Sequence, residues 1–190
     1  VINLQTRKMK TELETGLNPV DLYFDSTYIY VSNFDENSVS RIDKNSYVIE
    51  KVKTGKEPLK IAGLNNSLYV INHGSNTLQC FGVKEKKWKI PVEGRPDNLF
   101  VLQEKLIITS HNADAFNILS FNPAGENFSH LFSFRYPYGE TGFDTHNSSF
   151  YLSGQFGDAI YELNRMETDN RGRLWITDFL SGRLFILTGI

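Results

Sequence analysis

The apolar and polar positions of this chain recur in one register. In Tyr28–Asp43, YIYVSNFDENSVSRID, two alternating runs flank a polar centre, which predicts two antiparallel strands joined by a tight turn. An apolar pair at Tyr30-Val31 returns at Tyr69-Val70, Ile107-Ile108, Tyr151-Leu152 and Trp175-Ile176. Seven residues past each first member stand Asn37, Asn76, Asp114, Asp158 and Gly182, residue types that tolerate the left-handed backbone of such a turn. Apolar residues then resume at Val39, Leu78, Phe116, Ile160 and Leu184, and again at Ile42, Phe81, Leu119, Leu163 and Leu187. Hydrophobicity and turn chemistry agree in all copies, and a slip of one residue would break both.

Around each pair the pattern predicts two more strands. Gly16-Leu17-Asn18-Pro19, Gly55-Lys56-Glu57-Pro58 and the shorter Gly94-Arg95-Pro96 are turns that lead into first strands at Val20–Phe24, Leu59–Ala62 and Asn98–Leu102. Fourth strands are expected at Tyr47–Val52 and Trp88–Val92, with a longer one in Pro123–Tyr138. The Tyr-type positions are spaced by 39, 38, 44 and 24 residues. Four-stranded units of about 40 residues predict an all-β fold, a β-propeller of four-stranded antiparallel blades, with four to five blades visible in 1–190. Residues 1–13 match the end of a repeat, so the chain is expected to be one propeller domain, part of a larger ring of six to eight blades, with a five-bladed ring closed by the amino-terminal strand as the alternative. The short last spacing leaves no room for a fourth strand and most of a first strand, and predicts a break near 165–169.

The segments YIYVSNFDENSVSRID and SLYVINHGSNTLQCF resemble the YVTN-type β-propeller repeat, and DNRGRLWITDFLSGRLFIL is similar to NHL-like and lyase-like blades. The resemblance covers nearly the whole chain and implies a bacterial envelope or extracellular setting. Its function implications divide between non-catalytic binding scaffolds and a minority of enzymes. Ile107-Ile108-Thr109-Ser110 lacks the aromatic and the Asn of the motif, and Tyr151-Leu152-Ser153-Gly154 lacks the Asn.

Composition adds exclusions. With 20 Lys and Arg against 22 Asp and Glu, the net charge of −2 gives no electrostatic reason to expect nucleic acid. No apolar run has the length of a membrane helix, and the first ten residues lack the apolar stretch of a signal peptide. Cys80 is single, so neither an intrachain disulfide nor a zinc–cysteine cluster forms; mid-strand, it is expected to be a buried thiol. No phosphate loop, nucleophile elbow or cofactor motif is present.

Candidate chemistry falls on one face. In a propeller the loops between second and third strands and those between blades share the channel mouth, so the resemblance places Phe34, His73, His111, Gln155 and Phe179 there. Arg95 and Tyr138 join them from inter-blade loops, suiting a small anionic or sugar-like ligand or a peptide. Adjacent His73 and His111 also carry an alternative, a lactonase-like, lyase-like or redox enzyme with a metal near the mouth. Asn33, Asn72 and Asp178 are expected to cap the turns. Asp21, Lys60, Asp97 and Asp144 on first strands are expected to meet water in the channel.

Overall fold

The computed structural model describes residues 2–82, 87–112, 115–124, 126–135, 140–144, 149–156, 159–161, 163–178 and 183–188. Among these, every regular element except one 3₁₀ turn, His73–Ser75, is a β-strand.

A short hairpin, β1 (Ile2–Asn3) with β2 (Lys8–Met9), comes first and pairs only within itself. Three antiparallel sheets of four consecutive strands follow. Blade 1 is β3 (Pro19–Phe24), β4 (Tyr28–Asn33), β5 (Ser38–Asp43) and β6 (Ile49–Lys53). Blade 2 is β7 (Pro58–Leu64), β8 (Ser67–Asn72), β9 (Thr77–Gly82) and β10 (Lys87–Pro91). Blade 3 is β11 (Arg95–Leu102), β12 (Lys105–His111), β13 (Ala115–Asn122) and β14 (Asn127–Arg135), the last lengthened as its spacing predicts. Two three-stranded sheets complete the chain: β15 (Glu140–Asp144), β16 (Ser149–Phe156) and β17 (Ala159–Tyr161), then β18 (Leu163–Thr168), β19 (Leu174–Asp178) and β20 (Arg183–Leu187).

The last unit corrects one expectation. Leu163–Thr168 forms the first strand of the final sheet, pairing Thr168 with Leu174 and Leu163 with Asp178, so only a fourth strand goes missing before it.

The turns explain the register. Asn37 and Asn76 adopt φ of 54° and 51°, as their positions between second and third strands require. Asp114, Asp158 and Gly182 lie outside the described residues. At the first-to-second turns, Asp25 accepts from the backbone N–H groups of Thr27 and Tyr28 and from the Tyr30 hydroxyl. Asp169 repeats this in the last blade, accepting from Arg171 and Arg173 backbone N–H and from Trp175 Nε1.

The core lies between sheets. Val39, Tyr23 and Tyr30 of blade 1 meet Ile61, Leu68, Val70 and Phe81 of blade 2. Tyr69, Ile71, Leu78 and Cys80 of blade 2 meet Leu99, Leu106, Ile108, Leu119 and Phe121 of blade 3. Each sheet thereby buries a face that it could not bury alone. Inner strands also join directly: Asp21 Oδ2 accepts the Ile61 N–H at 2.9 Å, and Lys60 Nζ lies 3.8 Å from Asp21 Oδ1.

Candidate functional site

Each first strand of the three complete blades carries a bulge at one position. Pro19, Pro58 and Pro96 pair with Asn33, Asn72 and Ser110, and the next paired residues are Asp21, Lys60 and Asn98. The residue skipped in each ladder is Val20, Leu59 and Asp97 in turn. A bulge re-aims its extra side chain, and proline, which gives no N–H to the ladder, precedes it each time. Blades 1 and 2 fill the position with an apolar residue; blade 3 fills it with a carboxylate.

That carboxylate is not in the channel water. Asp97 is 6% exposed, and it lies among His73 (0%), His111 (6%) and the backbone of its own strand. His111 Nδ1 stands 3.0 Å from Asp97 Oδ2. His73 Nδ1 reaches the Pro96 carbonyl at 2.9 Å and Asp97 Oδ1 at 3.5 Å. Because a carbonyl oxygen only accepts, His73 carries its proton on Nδ1. The two imidazole centroids are 6.1 Å apart.

The charges follow from burial. Desolvation raises Asp97 well above the ordinary carboxylate value. Desolvation, with His73 and Arg95 adding to it, lowers His111 to about 4. His73 is lowered too, chiefly by burial. Burial thus disfavours the charged form of each of the three side chains.

Arg95, the first residue of β11, is exposed at the rim and forms no ion pair among the described residues. Its field reaches His73, Asp97 and His111. Gly94 before it has φ 77°, and a Cβ there would lie 2.5 Å from the His111 carbonyl oxygen, so only glycine lets this loop seat Arg95 against β12.

Of the other mouth positions, Phe34 is half-buried and packs toward the blade 2 core. The side chain of Gln155 on β16, and Phe179 and Tyr138 entirely, lie outside the described residues, as do Asp178 and Asp144 side chains. The turn-capping role of Asn33 and Asn72 is corrected. Both are fully buried, and their Nδ2 groups donate to side chains on the third strand: Ser38 and Ser40 for Asn33, Thr77 and Gln79 for Asn72. Ser40 then donates to the Thr15 carbonyl, and Gln79 accepts from Gly55 N–H, so the pair holds the inter-blade loop. In blade 3 Ser110 reaches the equivalent Glu93 carbonyl directly, at 2.6 Å, which explains why the Asn is dispensable there.

Asp97 was the member whose role sequence reasoning missed. Its signal was a carboxylate following Gly-Arg-Pro where the earlier repeats have Leu or Val after proline. Among the described residues no group of three or more His, Cys, Asp and Glu side chains converges as a metal requires. Both histidine Nδ1 atoms are committed within the cluster. On the opposite face a groove carries Tyr23, Tyr28, Tyr30 and Arg41, but its rings already cover one another: Tyr23 stacks on Tyr30 and Arg41 lies over Tyr28.

Consecutive four-stranded sheets packed face to face, with first strands meeting along the inside, define a β-propeller. Solved structures agree. The chain is similar to hydrazine synthase of Kuenenia stuttgartiensis (14% identity, TM-score 0.56, covering 93% of this chain and 50% of that one). It is similar to virginiamycin B lyase from Staphylococcus aureus (9% identity, TM-score 0.57, 89% of this chain and 69% of that one). It also matches a chain of a nidogen/laminin complex (15% identity, TM-score 0.54, 89% of this chain and 75% of that one). The chain thus spans half the length of the first and about two thirds of the second. Identities this low show the fold alone, and these relatives include both an enzyme and a binding assembly. No model of a known protein family matches the sequence, and no curated protein matches it.

Among the described residues no helix is long and apolar enough to cross a membrane.

Proposed function

We propose that the chain is a non-catalytic binding scaffold whose ligand, a small anion, is received at the channel mouth above His73, Asp97 and His111. One observation carries this reading: Arg95, an exposed guanidinium with no ion-pair partner among the described residues, stands two residues before a buried carboxyl whose charged form burial disfavours. A planar guanidinium matches carboxylate or phosphate oxygens in pairs. Glu57, whose field also reaches His73, forms no ion pair with Arg95. In this reading Phe34 supplies a further wall of the mouth, and the envelope or extracellular setting follows the resemblance to YVTN-type repeats.

The test is titration calorimetry with inorganic phosphate and with malonate, on the native chain and Arg95→Gln. Binding that weakens about tenfold or more in Arg95→Gln, a loss of about 1.4 kcal/mol, is the expected result. Equal affinity in the two proteins, or none in the native chain, overturns it.

A second reading, a lyase-like or lactonase-like enzyme, has one observation in its favour: a carboxylate orients the His111 ring, an arrangement suited to moving protons. It predicts turnover of a lactone with a pH profile that Asp97→Asn displaces; a flat profile unaffected by Asp97→Asn sinks it.

A further inference from the structure

The residue before the first-strand proline is Asn18, Glu57 and Arg95 in successive blades, so one position at the mouth is neutral, then acidic, then basic. The loops entering blades 1 and 2 close alike: the Asn18 carbonyl accepts the Phe34 N–H and the Glu57 carbonyl accepts the His73 N–H, both at 2.9 Å. Asn18 and Glu57 are both left-handed, with φ of 50° and 55°, and the loop entering blade 3 meets the same demand with Gly94. Asparagine and glycine suit that backbone; glutamate does not. What a glutamate adds there is its carboxylate, and strained backbone of this kind gathers at ligand sites.

The surroundings are shaped to that carboxylate. Asn37 Oδ1 accepts the Glu57 N–H at 2.7 Å and so ties the loop to blade 1. Gly74, which follows His73, is not left-handed, yet a Cβ on it would stand 2.6 Å from the Glu57 carboxyl. The residues that follow Phe34 and His111 are Asp35 and Asn112, so blade 2 clears a space that blades 1 and 3 do not. His73 bridges the seam to blade 3: its backbone N–H rests on Glu57, and its Nδ1 on the Pro96 carbonyl beside Arg95. The fields of Glu57 and Arg95 both reach its ring, with opposite sign. Among the described residues neither charge forms an ion pair, with the other or elsewhere.

A carboxylate near the guanidinium repels a simple anion, whereas a ligand that carries an ammonium next to its own carboxylate turns the repulsion into attraction. We propose that the mouth binds a free α-amino acid across the His73 ring, its carboxylate on Arg95 and its ammonium on Glu57. The two groups of such a ligand sit on one carbon and require anchors close together, as two charges acting on one imidazole are. The guanidinium fork takes the carboxylate in a pair of hydrogen bonds, and the ammonium donates to Glu57. The inference rests on the anion reading above, since the ligand's carboxylate is the anion that Arg95 receives, and it adds Glu57 as the second anchor.

Calorimetry tests it on the native chain, Glu57→Asn and Arg95→Gln, with each common α-amino acid and with the α-hydroxy acid of the same side chain, in which a hydroxyl replaces the ammonium. At least one amino acid should bind the native chain, about tenfold or more tighter than its hydroxy acid. Glu57→Asn should remove that difference and leave the hydroxy acid unchanged, and Arg95→Gln should weaken both. Asn18 holds the same backbone in blade 1, so Glu57→Asn should keep the loop, with a far-UV circular dichroism spectrum equal to that of the native chain. A hydroxy acid that binds as tightly as its amino acid, or a Glu57→Asn effect equal on both, overturns the inference. Malonate binding that Arg95→Gln abolishes, with no amino acid bound, overturns it while the anion reading stands; malonate and amino acids that both fail to bind overturn the two together.

Discussion

His111 Nδ1 lies 3.0 Å from Asp97 Oδ2, and burial disfavours the charged form of both side chains. Removing one member strands the other in an apolar setting. Asp97→Ala should therefore destabilise the chain by about 1–3 kcal/mol in urea denaturation. The double variant Asp97→Leu with His111→Phe, which restores the Leu59 and Phe34 chemistry of the earlier blades, should return to within about 1 kcal/mol of native. A double variant no better than the single one would mean that the cluster is held for stability.

Stability should depend on pH through His73, Asp97 and His111. Burial lowers His73 below 6.5, so its contribution is present above 6.5 and lost as pH falls toward its folded value. For the pair, His111 behaves likewise from 6.5 down to about 4. Asp97 has the opposite sign: raised above 3.8, it stabilises at low pH, and this is lost as pH rises through its folded value. Their effects oppose each other between about 4 and 6.5, while the carboxylates held low at Asp25, Asp43 and Asp169 contribute stability that is lost only below their ordinary value of 3.8. Between pH 6.5 and 4 the melting temperature should therefore fall less steeply in His73→Phe than in the native chain; an unchanged slope refutes the assignment.

Gly94→Ala should cost about 1–3 kcal/mol, from a left-handed φ and from collision with the His111 carbonyl. It should also reduce anion affinity, since the loop carries Arg95. Calorimetry on the folded variant measures the second effect, and unchanged affinity would separate Arg95 from the ligand.

Asn72→Ala removes a fully buried donor to Thr77 and Gln79, and should destabilise by about 1–3 kcal/mol. Amide exchange should quicken at Gly55, whose N–H rests on Gln79. Exchange quickening only at the Asn76 turn would favour the turn-capping role instead.

Cys80 is buried, and burial raises its thiol, so a thiol reagent should react only through opening of the sheet contacts. Labelling of the native chain at the rate of an unfolded control would show that the contact between blades 2 and 3 is not closed in solution.

Most of the fold was legible because two independent constraints coincide at Asn37 and Asn76: a fixed distance from the aromatic pair and a left-handed backbone. Leu163–Thr168 was not legible as a first strand, since LNRMET holds a single β-branched residue, Thr168, and pairing with β19 supplies what propensity lacks. The site was half legible. His73 and His111 stand out by position, but Asp97 does not, because a bulge breaks the two-residue period from which facing is read. Asn33 and Asn72 were misassigned for a related reason: their donors cross to the neighbouring strand, a partner that local spacing does not reveal.

The bulge after each proline leaves one residue outside the ladder, and its neighbours keep their pairing whichever side chain it bears. A valine, a leucine and an aspartate have each been fitted there without rearranging the strands around them. Each of the three complete blades thus owns a socket with its own tenant, and new chemistry can arrive at the hub by a change of tenant while the spokes stay as they are.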